Sequence, residues 1–257
     1  MRQNLWTAAL AAILLLFPTA SWAAQKPQAP QIDPAAMQHL TRMCDYLKAL
    51  GAFTFRAEVN VDEVFKGGLT LQSSRTEDIA VRRPDRARAD TIQDADIKSI
   101  TYDGANFTVF HKNKNLYSTL AVPQSLDAAL DAVLEKYGVS APLAELIANN
   151  PCPALTENVL TGYYVGLRMV QGVPCHHLAF SQKDVDWQIW IAEGDKPLPR
   201  KLVIVDKTLA GAPNYEALLE DWKINPRLKD SFFVFTPPKN AAKIDVIPRG
   251  DSPAAGQ

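Results

Sequence analysis

The chain has 257 residues, 47% of them hydrophobic, and balances 27 basic against 28 acidic side chains. That hydrophobic share belongs to a globular chain rather than a disordered one. The near-zero charge gives no basis for nucleic-acid binding.

The first 24 residues, MRQNLWTAALAAILLLFPTASWAA, have the three zones of an export signal. Arg2 supplies the positive charge, Leu5 to Phe17 the apolar run, and Ser21 and Ala23 the small residues before a cut. The run falls short of the roughly 20 residues that span a bilayer, so a membrane anchor is the weaker reading. No later apolar run is long enough to span either. The expected product starts at Ala24 and is exported and soluble. Removing Arg2 takes its net charge from −1 to −2. Residues 24–33 read as a mobile Pro/Gln-rich leader, 34–248 as one folded domain, and 249–257 as a disordered tail.

Asp33 followed by Pro34 predicts a helix start, and Gly51 its end. Met37, Leu40, Met43, Cys44 and Leu47 share one face at helical spacing. The period then changes to two. Phe53, Phe55, Ala57, Val59 and Val61 alternate with polar residues, as in a half-buried antiparallel strand. After Lys66-Gly67-Gly68, residues 69–82 read as a second strand whose polar middle, Ser73 to Asp78, is expected to twist or bulge. Strands follow at 86–91, 97–102, 107–111 and 116–120, with Asp103-Gly104 as a hairpin turn. Two helical stretches come next. Leu126, Leu130, Val133 and Leu134 mark the first, and Leu143, Leu146 and Ile147 the second. Asn149, Asn150, Pro151 and Pro153 are expected to stop helix formation. Five further strands are expected at 159–170, 175–181, 184–192, 198–206 and 215–224. Helix, strands, helices, strands predicts an α+β fold: one curved antiparallel sheet with helices on its concave face.

Signatures of catalysis are sparse. No serine has glycines two residues away on both sides, and there is no HExxH, P-loop, GxGxxG or CxxC. No catalytic residue, cofactor or metal is assigned. His176 and His177 are neighbours on an expected strand and should face opposite ways, which disfavours a shared metal. Cys44, Cys152 and Cys175 allow one disulfide plus a free thiol, or three separate thiols, and the sequence does not choose.

Arg82-Arg83-Pro84-Asp85-Arg86-Ala87-Arg88 reads as a turn with solvated arginines, or as a turn that sends one arginine to the concave side. The apolar faces also have two readings. Phe53, Phe55, Val59, Val61, Phe107, Val109, Trp187, Ile189, Ile191, Leu202 and Ile204 form either a plain core or the wall of a ligand cavity.

Residues 35–245 resemble a family of bacterial periplasmic proteins that carries the label of a domain of unknown function. The resemblance rests on CDYLKALGAFTF, VRRPDRARAD, ITYDGANFTVF, DWQIWIAEGDKPLPRKLVI and FFVFTPPKNAAKI. That family is similar in layout to the LolA/LolB lipoprotein carriers and to the LppX and RseB domains. The resemblance implies an unclosed half-barrel with helices plugging its concave side. It implies a non-catalytic carrier for a lipid, a lipoprotein acyl chain or another hydrophobic ligand. The alternative it leaves open is an envelope module that takes a protein partner on the same face. It also places Arg83, before Pro84, at the position that ties down the carriers' helical lid. This chain departs from theirs in having two arginines before Pro84 and in reading DRAR after it.

Overall fold

The computed structural model describes residues 31–137 and 141–246. The export signal, residues 24–30 of the leader and the tail from 247 lie outside them. The end of the leader is fixed in place: Ile32 bridges Gly162, and Asp33 N–H donates to Gly162 O at 2.9 Å.

Helix α1 (Pro34–Ala49) starts where Asp33 accepts a hydrogen bond from Ala35 N at 2.8 Å. Its buried face is Ala36, Leu40, Met43, Cys44 and Leu47. Six strands follow: β1 (Ala52–Val64), β2 (Thr70–Arg82), β3 (Arg86–Gln93), β4 (Asp96–Tyr102), β5 (Asn106–His111) and β6 (Leu116–Ala121). Three helices, α2 (Leu126–Tyr137), α3 (Ala144–Ile147) and α4 (Pro151–Thr156), separate them from the second set. That set is β7 (Thr161–Val170), β8 (Val173–Ser181), β9 (Val185–Ala192), β10 (Pro199–Asp206) and β11 (Asn214–Ile224). A short β12 (Ala242–Lys243) ends the described chain.

The strands form one sheet in the order β12-β6-β5-β4-β3-β2-β1-β11-β10-β9-β8-β7. Its two ends, β12 and β7, do not meet, so the sheet is unclosed. Every pairing is antiparallel except β12 with β6, which is parallel. The sheet is the expected antiparallel one, with a parallel pairing at that one edge. Curvature follows from reach. Tyr215 on β11 and Phe107 on β5 line the same pocket although they lie five strand spacings apart, roughly 24 Å in a flat sheet.

Helix α1 packs across β7, β8 and β9. Beneath the helices lies the core: Phe53, Phe55, Ala57 and Val59 from β1, Leu178 and Phe180 from β8, and Ile189 and Ile191 from β9. A bulge between Thr54 and Arg56 shifts the β1–β11 register. Asp221 has φ 53° there, and Trp222 stacks on Phe55 at 4.4 Å between ring centroids.

Two expectations about elements are corrected. The polar middle of β2 does not bulge; β1 and β2 pair without a break from Ala52↔Arg82 to Val64↔Thr70. Pro151 and Pro153 do not stop a helix; they sit in the first turn of α4. A proline there gives up an N–H that has no acceptor within the helix anyway. The turn between β7 and β8, by contrast, has the form its sequence suggests. Gln171 and Gly172 both have positive φ and close a two-residue hairpin whose twist matches the strands.

Candidate functional site: a pocket between sheet and helices

Small side chains open a pocket of about 570 Å³ between the sheet and α2–α4. On β3 the inward positions are Ala87 and Ala89, which lie opposite Val81 and Ile79 of β2. Where β1 sends phenylalanines inward, β3 sends methyl groups, so the helices above cannot close onto the sheet. Ile100, Tyr102 and Phe107 continue the floor. Leu126, Ala129, Leu130 and Val133 of α2 form much of the roof. The Tyr102 hydroxyl donates to Pro123 O at 2.7 Å, so its ring serves as apolar wall.

One end of the pocket is polar. Arg75 and Glu77, both on the inward phase of β2, pair at 2.6 Å. The Arg75 guanidinium lies 5.7 Å from the Tyr215 ring centroid. The Tyr215 hydroxyl is buried and has no hydrogen-bond partner among the described residues. Burial, and then the nearby Glu77 carboxylate, push its pKa up. Glu145 of α3 also lines the pocket, and burial raises its carboxyl above the usual range.

Of the eleven apolar residues singled out in the sequence, Phe107 alone lines this pocket. Phe53, Phe55, Val59, Trp187, Ile189, Ile191 and Leu202 are buried in the packed core, and Val61, Val109 and Ile204 pack against it half-buried. The reason is α1, which fills the β7–β9 side of the sheet. The pocket therefore sits over β2–β5, under α2. The R-A-R-A alternation of β3, small inside and charged outside, was the available signal for it.

The arginine cluster is not a solvated turn. Arg83 Nη1 donates to Ile147 O at 2.9 Å and to Asn149 Oδ1 at 3.3 Å, and Nη2 to Leu47 O at 3.4 Å. The two carbonyl acceptors are at the C-terminal ends of α3 and α1, where the exposed carbonyl dipoles favour a cation, and Leu47 O is shared with the Leu50 N–H. Asn149 is itself held, its side chain donating to Pro84 O and its N–H to Asp127 Oδ1. Arg82 points the other way. It donates to Leu228 O at 2.9 Å and pairs with Asp230. Arg88 donates to Phe232 O at 3.0 Å and holds Asp90. Together they pin a strap, residues 226–235, to the outer face, where Phe233 is fully buried and Phe235 packs on Phe110 and Tyr117.

His176 and His177 do face opposite ways. His176 stacks on His39 of α1 at 3.7 Å and hydrogen-bonds the Tyr164 hydroxyl at 3.0 Å. His177 stacks on Trp190 at 4.0 Å and bonds Gln188 at 2.9 Å.

An unclosed, curved sheet with helices and a pocket on its inner face defines a half-barrel protein. The chain belongs to the family described as predicted periplasmic protein (DUF2092), which matches residues 36–247. Among solved structures it is similar to the Mycobacterium tuberculosis lipoprotein LppX, at 15% identity and TM-score 0.48, covering 77% of this chain and 98% of that one. A LolA superfamily protein from Nitrosomonas europaea matches at 11% and 0.42, covering 78% and 97%. MucB in the Pseudomonas aeruginosa MucA/MucB complex matches at 13% and 0.41, covering 79% of this chain and 61% of that one. No curated protein is detectably similar in sequence. Among the described residues no helix is long and apolar enough to cross a membrane.

Proposed function

We propose that the protein is an exported, soluble, non-catalytic carrier that shelters the apolar chain of a lipid or lipidated protein. The observation that carries this reading is the pocket between β2–β5 and α2. Its 570 Å³ falls within the roughly 300–1,000 Å³ typical of small-molecule sites. Its floor is mostly aliphatic and aromatic over β3–β5, Asp127, Asp131, Asn150 and Glu157 line its helix side, and Arg75, Glu77 and Tyr215 form a buried polar cluster at one end. A single-chain amphiphile fits that division, tail over Ala89 and Phe107, head toward Tyr215 and Arg75. Burying a chain of about 14 carbons is worth up to about 10 kcal/mol at about 0.8 per methylene, before ordering costs. No bond need form or break.

A second reading, a protein partner on the same inner face, is favoured by the edge strand β7. Leu167 and Met169 lie opposite His176 and Pro174 on that face and are 46% and 64% exposed. An uncovered apolar edge strand suits strand addition by another chain.

Native mass spectrometry of the protein taken from its own periplasm separates the two. A retained lipid mass is the expected result. A stable protein companion without lipid would favour the second reading, and an empty monomer would count against both.

A further inference from the structure

The three cysteines are free thiols in this structure, but two of them are neighbours. Cys44 lies on the buried face of α1. Cys152 lies in the first turn of α4, which packs directly on α1. The packing of α4 on α1 sets Cys152 beside Cys44, close enough for each thiol to perturb the other directly. Thr41, Cys44, Asp45 and Lys48 all act on the Cys152 sulfur, and their spacing of three, four and seven residues puts them on one helix face. Cys175 is elsewhere. On β8 it alternates with His176, so it points to the face opposite α1.

We propose that Cys44 and Cys152 are a disulfide site that clamps α4 to α1, and that Cys175 stays a thiol. The two thiols are unequal. The Cys44 neighbour holds the Cys152 thiol below its ordinary pKa. The same contact, followed by burial, pushes Cys44 up. Cys152 is also the more accessible, being half-buried beside the exposed Thr41, Asp45 and Lys48. Cys152 is therefore the attacking thiolate. The oxidant is a protein or small-molecule disulfide of the oxidising compartment. Cys152 attacks one donor sulfur and forms a mixed disulfide, releasing a donor thiolate. With the Cys152 charge gone, Cys44 loses its proton more readily. Its sulfur then displaces the second donor thiolate. The protein loses two protons and two electrons, and the donor takes them up, both of its sulfurs leaving as thiols.

The clamp acts on the pocket, a consequence that rests on the carrier reading. Pro153 and Glu157, from α4 and its end, line the pocket with Asn150. Joining α4 to α1 fixes that wall to the helix that covers the packed half of the sheet. Reduction would free it.

The test is intact mass and peptide mapping of the wild-type protein exported to a bacterial periplasm, denatured in the presence of an alkylating agent. The expected product is lighter than the reduced chain by two hydrogens, carries one alkyl group on Cys175, and yields a peptide joining Cys44 to Cys152. Three alkyl groups, or a cross-link that includes Cys175, would overturn the proposal. This readout is independent of any ligand. Hydrogen exchange then tests the clamp. Exchange across residues 141–157 should rise on reduction of the wild type and should not respond to reductant in Cys152→Ser. Unchanged exchange in the wild type would leave a cross-link without a clamp.

Discussion

Arg82, the last residue of β2, and Arg83, the next, are adjacent in sequence and serve opposite faces of the sheet. Arg83→Leu removes the donors to Ile147 O and Asn149 Oδ1. We expect a loss of roughly 1.5–3 kcal/mol in stability, as for hydrogen bonds to a charged group, with faster hydrogen exchange in residues 141–149. Arg82→Leu should raise exchange in 227–233 instead, where the strap loses its anchor. If both variants loosened the same segment, the two-faced assignment would be wrong. Tyr215 tests the polar end of the pocket. Tyr215→Phe removes a buried hydroxyl without a partner among the described residues, so the empty protein should gain stability or stay level. Binding of a fatty acid should weaken by up to about tenfold, one hydrogen bond's worth, while binding of a plain alkane should not change. Equal loss for both ligands in calorimetric titration would place the head group elsewhere. Sequence could single out Arg83 by its place before Pro84, but not its acceptors, which are main-chain carbonyls 36 and 64 residues away. Nor could it single out Tyr215, whose alternation in β11 marks a face and not what lies above it.

Helix α1 is docked by a titratable contact. Burial, followed by the charges of His176 and Arg42, holds the His39 pKa below its ordinary 6.5. The unfolded chain therefore takes up the proton more readily, and the stability from neutral His39 is present above pH 6.5 and lost as pH falls through the lowered value. His177 works in the same direction. Glu145 works in the other: its carboxyl is raised above 4.5, so protonation on acidification restores stability. Melting temperature should fall from pH 7.5 to pH 5 in the wild type and fall less in His39→Gln. An equal fall in both would remove His39 from the account of acid sensitivity. A Cys44–Cys152 bridge would hold the same helix. Closing a loop of about 100 residues is worth up to about 4–5 kcal/mol in the chain-entropy view. Most elements were legible because periods of two and 3.6 mark them directly. Helix α4 was not, because Pro151 and Pro153 break a helix interior yet fit a first turn. Strand β12 was not, because two residues carry no period.

At the scale of the whole molecule, the half of the sheet under α1 is packed and the half under α2 is open. Alternation found the inner face of β1 and β9 but could not say which stretch a helix would fill. That depends on where α1 docks and on methyl-sized Ala87 and Ala89 of β3. Two tryptophan substitutions read the difference. Ile189 is fully buried, so Ile189→Trp should overpack the core and cost about 1–3 kcal/mol. Ala89→Trp should project into the pocket and leave stability nearly unchanged.

Titration of a fluorescent fatty acid into the wild-type, delipidated protein and into Ala89→Trp tests the carrier reading most directly. Saturable binding by the wild type, lost in Ala89→Trp with the melting temperature preserved, is the predicted result. No binding by the wild type, or equal binding by both, would contradict a chain sheltered between β3 and α2.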